Sequence, residues 1–158
     1  MNIAFVLLFI LVGFLPAFGE NSPSIPKEGK VIFINQLTQT GTAYENGIKL
    51  FDFNVITGDG VKITDPGEYV VVQKRRRYFS KTHNTWMPYS LFFIWNGDRK
   101  AIHEGEVPPK EHLNPKKRRS ALATNGCVHV TRPEIVRLFD WAEEGKTKII
   151  IHGTRSGD

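Results

Sequence analysis

The sequence predicts a mostly β domain with one helix, and three observations carry that reading. Short runs of β-branched and aromatic residues, each bounded by Gly, Asn, Asp or Pro, recur between residues 31 and 103. Beyond the N-terminal leader, apolar residues at sustained helical spacing occupy one stretch, residues 131–145. A length of 158 residues suits about one domain, so one core and one site are expected.

Residues 3–15 are continuously apolar and are followed by Pro16 and the small-residue pattern Ala17-Phe18-Gly19, which fits a signal peptide over residues 1–19. No Lys or Arg precedes the apolar run, so the amino terminus is the only cation there. An uncleaved anchor is the alternative, but the run is well short of the roughly 20 residues that cross a bilayer. An exported protein, periplasmic or at the cell wall, with no stable membrane span after cleavage is therefore expected. Residues 20–29 read as a tether, 30–153 as the folded domain and 154–158 as a tail.

Within the domain, Val31-Ile32-Phe33-Ile34 and residues 48–56 read as strands, with the hairpin-favouring pair Asn46-Gly47 between them. Turn clusters at 57–60 and 64–67 precede a strand over 68–73. Residues 90–95 and 100–103 form two more strands around the turn Asn96-Gly97-Asp98. Residues 104–123 contain three prolines and dense charge with no apolar period, and read as a long loop of the kind that is functional or disordered. Thr131 is placed to cap and Pro133 to open a helix that buries Ile135, Val136, Leu138, Phe139 and Ala142 and stops at Gly145. Residues 148–152 are the final strand, and no internal repeat is present.

The formal charge is +5 and the isoelectric point near 9.4, all from residues beyond the leader. Two basic runs, Lys74-Arg75-Arg76-Arg77 and Lys116-Lys117-Arg118-Arg119, suit a polyanionic partner, although solvated loops are the simpler reading of each. For an exported protein the anionic wall, not a nucleic acid, is the expected polyanion.

The single cysteine, Cys127, cannot form an intramolecular disulfide, and a lone thiol in an oxidising compartment is a liability. A buried, inert thiol is one explanation. A nucleophile is the other: Thr124-Asn125-Gly126-Cys127-Val128-His129 supplies a glycine that lets backbone approach a substrate and peptide N–H groups that could receive an oxyanion. The base would be one of His83, His103, His112, His129 or His152. His103 and His152 both end predicted strands, and His129 shares the face of Cys127 if the chain is extended. One cysteine and scattered histidines lack the spacing of a metal site.

Several landmarks in order resemble the L,D-transpeptidase catalytic (YkuD-type) domain. They are Met87-Pro88-Tyr89-Ser90-Leu91-Phe92-Phe93, Ala101-Ile102-His103 with Gly105, Thr124-Asn125-Gly126-Cys127-Val128-His129, and Leu138-Phe139-Asp140-Trp141. Upstream, Tyr44-Glu45-Asn46-Gly47 and Thr64-Asp65-Pro66-Gly67-Glu68-Tyr69 resemble the family's early hairpin and its Thr-Pro-x-Gly-x-aromatic segment. The resemblance implies a β-sandwich or barrel with one helix after the catalytic cysteine, no cofactor, and acyl transfer on peptidoglycan stem peptides to an amine of a second stem or a lipoprotein. It makes Cys127 the nucleophile, His103 the base oriented by the Glu104 carbonyl, and Gly126 the centre of the oxyanion site. Tyr89, Phe93, Thr124, Asn125, His129 and Glu104 would border the substrate, with a packing role the equal alternative for Tyr89 and Phe93.

The sequence departs from that family in three places. His103-Glu104-Gly105 stands where His-Gly or His-Ser is frequent, which predicts a raised imidazole pKa and a thiolate–imidazolium pair. Asn125 replaces a frequent histidine. His129 replaces an Arg or Asn, exchanging a permanent fork of donors for a ring that titrates, so substrate or acceptor choice is expected to differ. The rival readings are an L,D-carboxypeptidase with water as acceptor, a cysteine peptidase or amidase using His152, and an inactive wall-binding module.

Overall fold

A computed structural model describes residues 24–107 and 124–154. The leader, the tail beyond residue 154, His112, the second basic run and most of the long loop lie outside these residues.

Strands β1 (Lys30–Asn35), β2 (Thr40–Glu45) and β3 (Ile48–Asn54) form an antiparallel meander. The β2–β3 turn places Asn46 at φ +52 and Gly47 at φ +77, the two left-handed positions that Asn-Gly tolerates. β4 (Gly67–Val70) and β11 (Lys148–His152) complete a five-stranded sheet in the order β3-β2-β1-β11-β4, with β1 and β11 parallel. The second sheet has four strands in the order β10-β9-β8-β5: β5 (Gln73–Arg75), β8 (Ser90–Trp95), β9 (Asp98–Glu104) and β10 (Val128–Val130). A small hairpin, β6 (Phe79–Ser80) with β7 (Thr85–Trp86), lies between β5 and β8 in sequence.

The chain changes sheet at two apolar pairs, and there the expected strands break. The strand expected over 68–73 is two strands: Val71 N–H donates to Thr147 O and Val72 N–H to Phe92 O, so adjacent residues join opposite sheets. The strand expected over 48–56 likewise ends at Asn54, and Val55 and Ile56 cross towards β10. Ile32, Ile34, Ile149 and Ile151 face Leu91, Phe93, Ile102, Val128 and Val130 across the core. Burial of each large side chain contributes about 1.5–3 kcal/mol.

Helix α1 (Glu134–Trp141) packs Ile135, Leu138 and Phe139 into the same core. It is shorter than predicted, because Ala142 turns to an extended ψ of 149°. Thr131 does not cap a backbone N–H; its hydroxyl donates to the Glu134 carboxylate at 3.2 Å. The last turn has no basic residue of its own, and cations arrive from both sheets instead. Lys30 donates to the Trp141 carbonyl at 2.9 Å and Lys74 to that of Ala142 at 2.5 Å, satisfying helix-end carbonyls and opposing the negative end of the dipole. The first basic run is thus not merely a solvated loop: Lys74 holds the helix end, Arg76 pairs with Asp140, and Arg77 lies 5.2 Å over the Trp86 ring.

Ile102→Ala should lower unfolding free energy by about 2–5 kcal/mol in urea titration, whereas Ile94→Ala, on the solvent side of β8, should change it by less than about 0.5 kcal/mol.

Candidate active site

β10 is three residues long and is paired on both edges. On one side it runs parallel to β9, with Val128 opposite Ile102, His129 opposite His103 and Val130 opposite Glu104. On the other, Ile56 exchanges both backbone hydrogen bonds with His129, at 3.1 and 2.8 Å, and Gly58 bridges to Thr124. Val128 and Val130 are fully buried in the core, so alternation turns Cys127 and His129 to the sheet's other face. The same rule on β9 buries Ile102 inward and turns Ala101 and His103 to that second face. Cys127 packs against the cluster of Met87, Phe92 and Ala101, as Tyr78 also does, and His103 stands one pair further along, diagonal to the cysteine. The His103 and His129 rings meet edge to face with centroids 4.7 Å apart.

The turn before Cys127 is held by two threonines. Thr124 Oγ1 donates to the Cys127 carbonyl and accepts the Gly126 N–H at 3.2 Å. Thr64 Oγ1 donates to the Gly126 carbonyl at 3.1 Å and accepts the Gly58 N–H at 2.9 Å. Gly126 sits at φ +94, and a Cβ there would lie 3.0 Å from the Ile63 carbonyl and 2.8 Å from Lys100 Nζ, so both backbone and space require glycine. Its own N–H is committed to Thr124. Lys62 Nζ donates to Asn125 Oδ1 at 2.9 Å on the exposed side.

His103 is 6% exposed, and its Nδ1 lies 2.8 Å from the Glu104 carbonyl. A carbonyl only accepts, so Nδ1 carries the proton and Nε2 the free lone pair. The Glu104 carboxylate is turned away to Arg132, 2.8 Å distant, whose guanidinium lies over the Tyr89 ring. Burial, reinforced by His129, lowers the His103 pKa to about 4 despite the Glu104 carbonyl. The raised imidazole expected from a neighbouring carboxylate is therefore corrected: Glu104 acts on the ring through its backbone, and burial wins. Burial also raises the Cys127 thiol, against a hydrogen bond from the Ala101 backbone and the charge of Lys100. His129 is lowered by burial against the opposing pull of Glu106. At neutral pH the resting pair is thiol and neutral imidazole.

Other expected residues fall elsewhere. Phe93 is 1% exposed on the core side of β8, 4.9 Å from the Tyr69 ring, and is a packing residue, not a cleft residue. Tyr89, at φ +52, is edge-on to Phe139 with Arg76 and Arg132 over its ring. His152 ends β11 in the opposite sheet, stacked on Phe33, and His83 is exposed beside the β6–β7 hairpin. Sequence reasoning missed the hold on the Cys127 turn of Thr64 and Gly58, which read as turn residues and, for Thr64, as part of a resembling segment, and the closeness of Lys100 to Gly126, since Lys100 reads as the start of a strand.

The model of the L,D-transpeptidase catalytic domain (YkuD) matches residues 29–151. No curated protein matches. Among solved structures, an L,D-transpeptidase from Stackebrandtia nassauensis aligns over 89% of this chain and 62% of its own, at 23% identity and TM-score 0.69. A cysteine-to-serine mutant of the Enterococcus faecium L,D-transpeptidase aligns over 79% of this chain and 50% of its own, at 18% identity and TM-score 0.64. The L,D-transpeptidase from Xylanimonas cellulosilytica aligns over 82% and 63%, at 22% identity and TM-score 0.63. The chain thus spans less than two thirds of the solved proteins it matches, and the shared property is the mostly β fold.

Alkylation of Cys127 by iodoacetamide should be slow near neutrality and rise continuously into the alkaline range, because a raised thiol pKa and a lowered imidazole pKa leave no ion pair between them. A plateau of fast alkylation between about pH 5 and 7 would contradict this order of pKa values.

Proposed function

Because the chain belongs to the L,D-transpeptidase catalytic domain family, we propose that it is an exported, cysteine-dependent acyltransferase acting on peptidoglycan stem peptides. The observation that carries the reading is the pairing of β9 with β10, which sets His103 diagonal to Cys127 while the Glu104 carbonyl fixes the ring's tautomer.

With a neutral resting pair, proton transfer accompanies attack. His103 Nε2 takes the Cys127 proton as sulfur adds to the carbonyl carbon of the third stem residue, and the resulting imidazolium protonates the nitrogen of the departing D-alanine. The C–N bond breaks and a thioester remains. An amine of a second stem or of a lipoprotein then adds to the thioester carbonyl, giving its proton to His103, and the thiol is regenerated. Water in place of the amine gives the L,D-carboxypeptidase outcome. His152, in the other sheet, has no geometric support as the base.

Incubation of the mature protein with sacculi, followed by mass spectrometry of muropeptides, should give products linked through the third stem residue. Cys127→Ala should abolish them, and His103→Ala should slow their formation by about a hundredfold to ten-thousandfold. Full activity in His103→Ala would remove the assigned base, and trimmed stems without cross-links would assign water as the acceptor. Export is tested by N-terminal sequencing of the protein recovered outside the cytoplasm, with Glu20 expected as the first residue.

A further inference from the structure

On the face of the second sheet that carries the nucleophile, one row of side chains crosses all four strands. Gln73 of β5 pairs with Phe92 of β8, Phe92 with Ala101 of β9, and continuing the β9–β10 register by one residue sets Cys127 beside Ala101. Arg99 lies on β9 two residues before Ala101 and therefore on this same face. Its side chain reaches back over the row: Cζ stands 4.6 Å from the centre of the Phe92 ring and 5.3 Å from that of Tyr78. Phe92 and Tyr78 belong with the cluster against which Cys127 packs, so guanidinium and thiol rest on one apolar floor. Phe92 and Cys127 are two strands apart, about 10 Å between backbones.

The partners of Arg99 are neutral. One terminal nitrogen donates to Gln73 Oε1 at 3.2 Å and the other to the Tyr78 hydroxyl at 2.9 Å, and among the described residues no carboxylate pairs with the guanidinium. Both bonds occupy acceptors, which leaves the Gln73 amide N–H groups, the Tyr78 O–H and the remaining guanidinium N–H groups to donate. Arg99 is exposed, while the Phe92 ring beneath it is 2% exposed. A planar cation braced by neutral oxygens and ringed by donors has the chemistry of an oxyanion site.

We propose that Arg99, braced by Gln73 and Tyr78, forms a carboxylate-binding subsite about two strand spacings from Cys127. Resting on the acyltransferase reading, its ligand is a side-chain carboxylate of the acyl donor. The donor's terminal carboxylate is three bonds from the attacked carbonyl carbon, less than about 4 Å, and does not span the gap. A side chain of several methylenes ending in a carboxylate does. Donors bearing that group are selected over those in which it is amidated.

Bromoacetyl amides test the subsite without any assumption about the natural substrate. Sulfur displaces bromide from the methylene carbon, and the amide carries a chain of chosen length ending in a carboxylate or a neutral carboxamide. In bromoacetyl-aminohexanoate the carboxyl carbon lies eight bonds from the attacked carbon, and in bromoacetylglycine it lies four. With the long reagent, the wild-type protein should alkylate Cys127 about fivefold or more faster as carboxylate than as carboxamide at low salt, and Arg99→Met should remove that preference. Arg99→Met keeps an apolar cover over Phe92; Arg99→Gln, checked for an unchanged melting temperature, serves if it fails to fold. The short reagent should show no preference that depends on Arg99. An unchanged ratio in the variant would overturn the proposal. So would an equal fall for both reagents, which marks a diffuse field and not a subsite. With stem tetrapeptides, Arg99→Met should raise KM for donors with a free side-chain carboxylate on the third residue and leave the amidated donors unchanged. If the wild-type protein turns over neither donor while the long-reagent preference still depends on Arg99, the subsite stands and the acyltransferase reading fails.

Discussion

The parallel pairing of β9 with β10 is the constraint on which the site depends. It brings residues 102–104 alongside 128–130, and the two-residue alternation then sorts their side chains without further help. Ile102, Val128 and Val130 go into the core, while His103, His129 and Cys127 share the opposite face. A one-residue slip would exchange those faces and bury the chemistry among isoleucines. The register is protected on its far edge by Ile56, itself fixed where the chain leaves the first sheet. The apolar core and the candidate catalytic face are therefore one specification, written on alternate residues of two short strands.

Much of the β architecture is legible in the residues. Asn46-Gly47 and Asn96-Gly97 mark tight turns that the structure contains, and β1, β8, β9 and β11 coincide with β-branched or aromatic runs. β2 was not legible: Thr40, Gly41, Thr42 and Ala43 have little apolar bulk, and the strand exists because it lies between β1 and β3. The breaks at Val71–Val72 and Val55–Ile56 were invisible for the opposite reason. Continuous apolar residues look like one strand whether the chain stays in a sheet or bridges two.

The site was legible in part. Cys127, His103 and Gly126 could be singled out by residue type and order, and the Glu104 carbonyl lies where the resemblance implied. The side taken by Phe93 was not legible because Leu91, Phe92 and Phe93 are all apolar, so the alternation on β8 does not reveal which ring faces the core; Phe93 enters the core and Phe92 lies in the cluster against which the cysteine packs. The ionisation state was also beyond the sequence. Proximity of Glu104 suggested a charged imidazole, but burial is a property of the packed fold and outweighs the nearest neighbour in sequence.

The position of β11 has a consequence for how the molecule comes into being. It lies between β1 and β4 in the interior of the first sheet, pairing Val31 with Lys148 across most of the chain. Such a contact carries a large loop-closure entropy and slows folding. Until residues 148–152 are available, β1 and β4 have no neighbour to join them, and the isoleucines of β1 have no partner strand on that side. Synthesis of residues 148–152 thus acts as a timer: the sheet remains in two pieces until this strand arrives and welds them together.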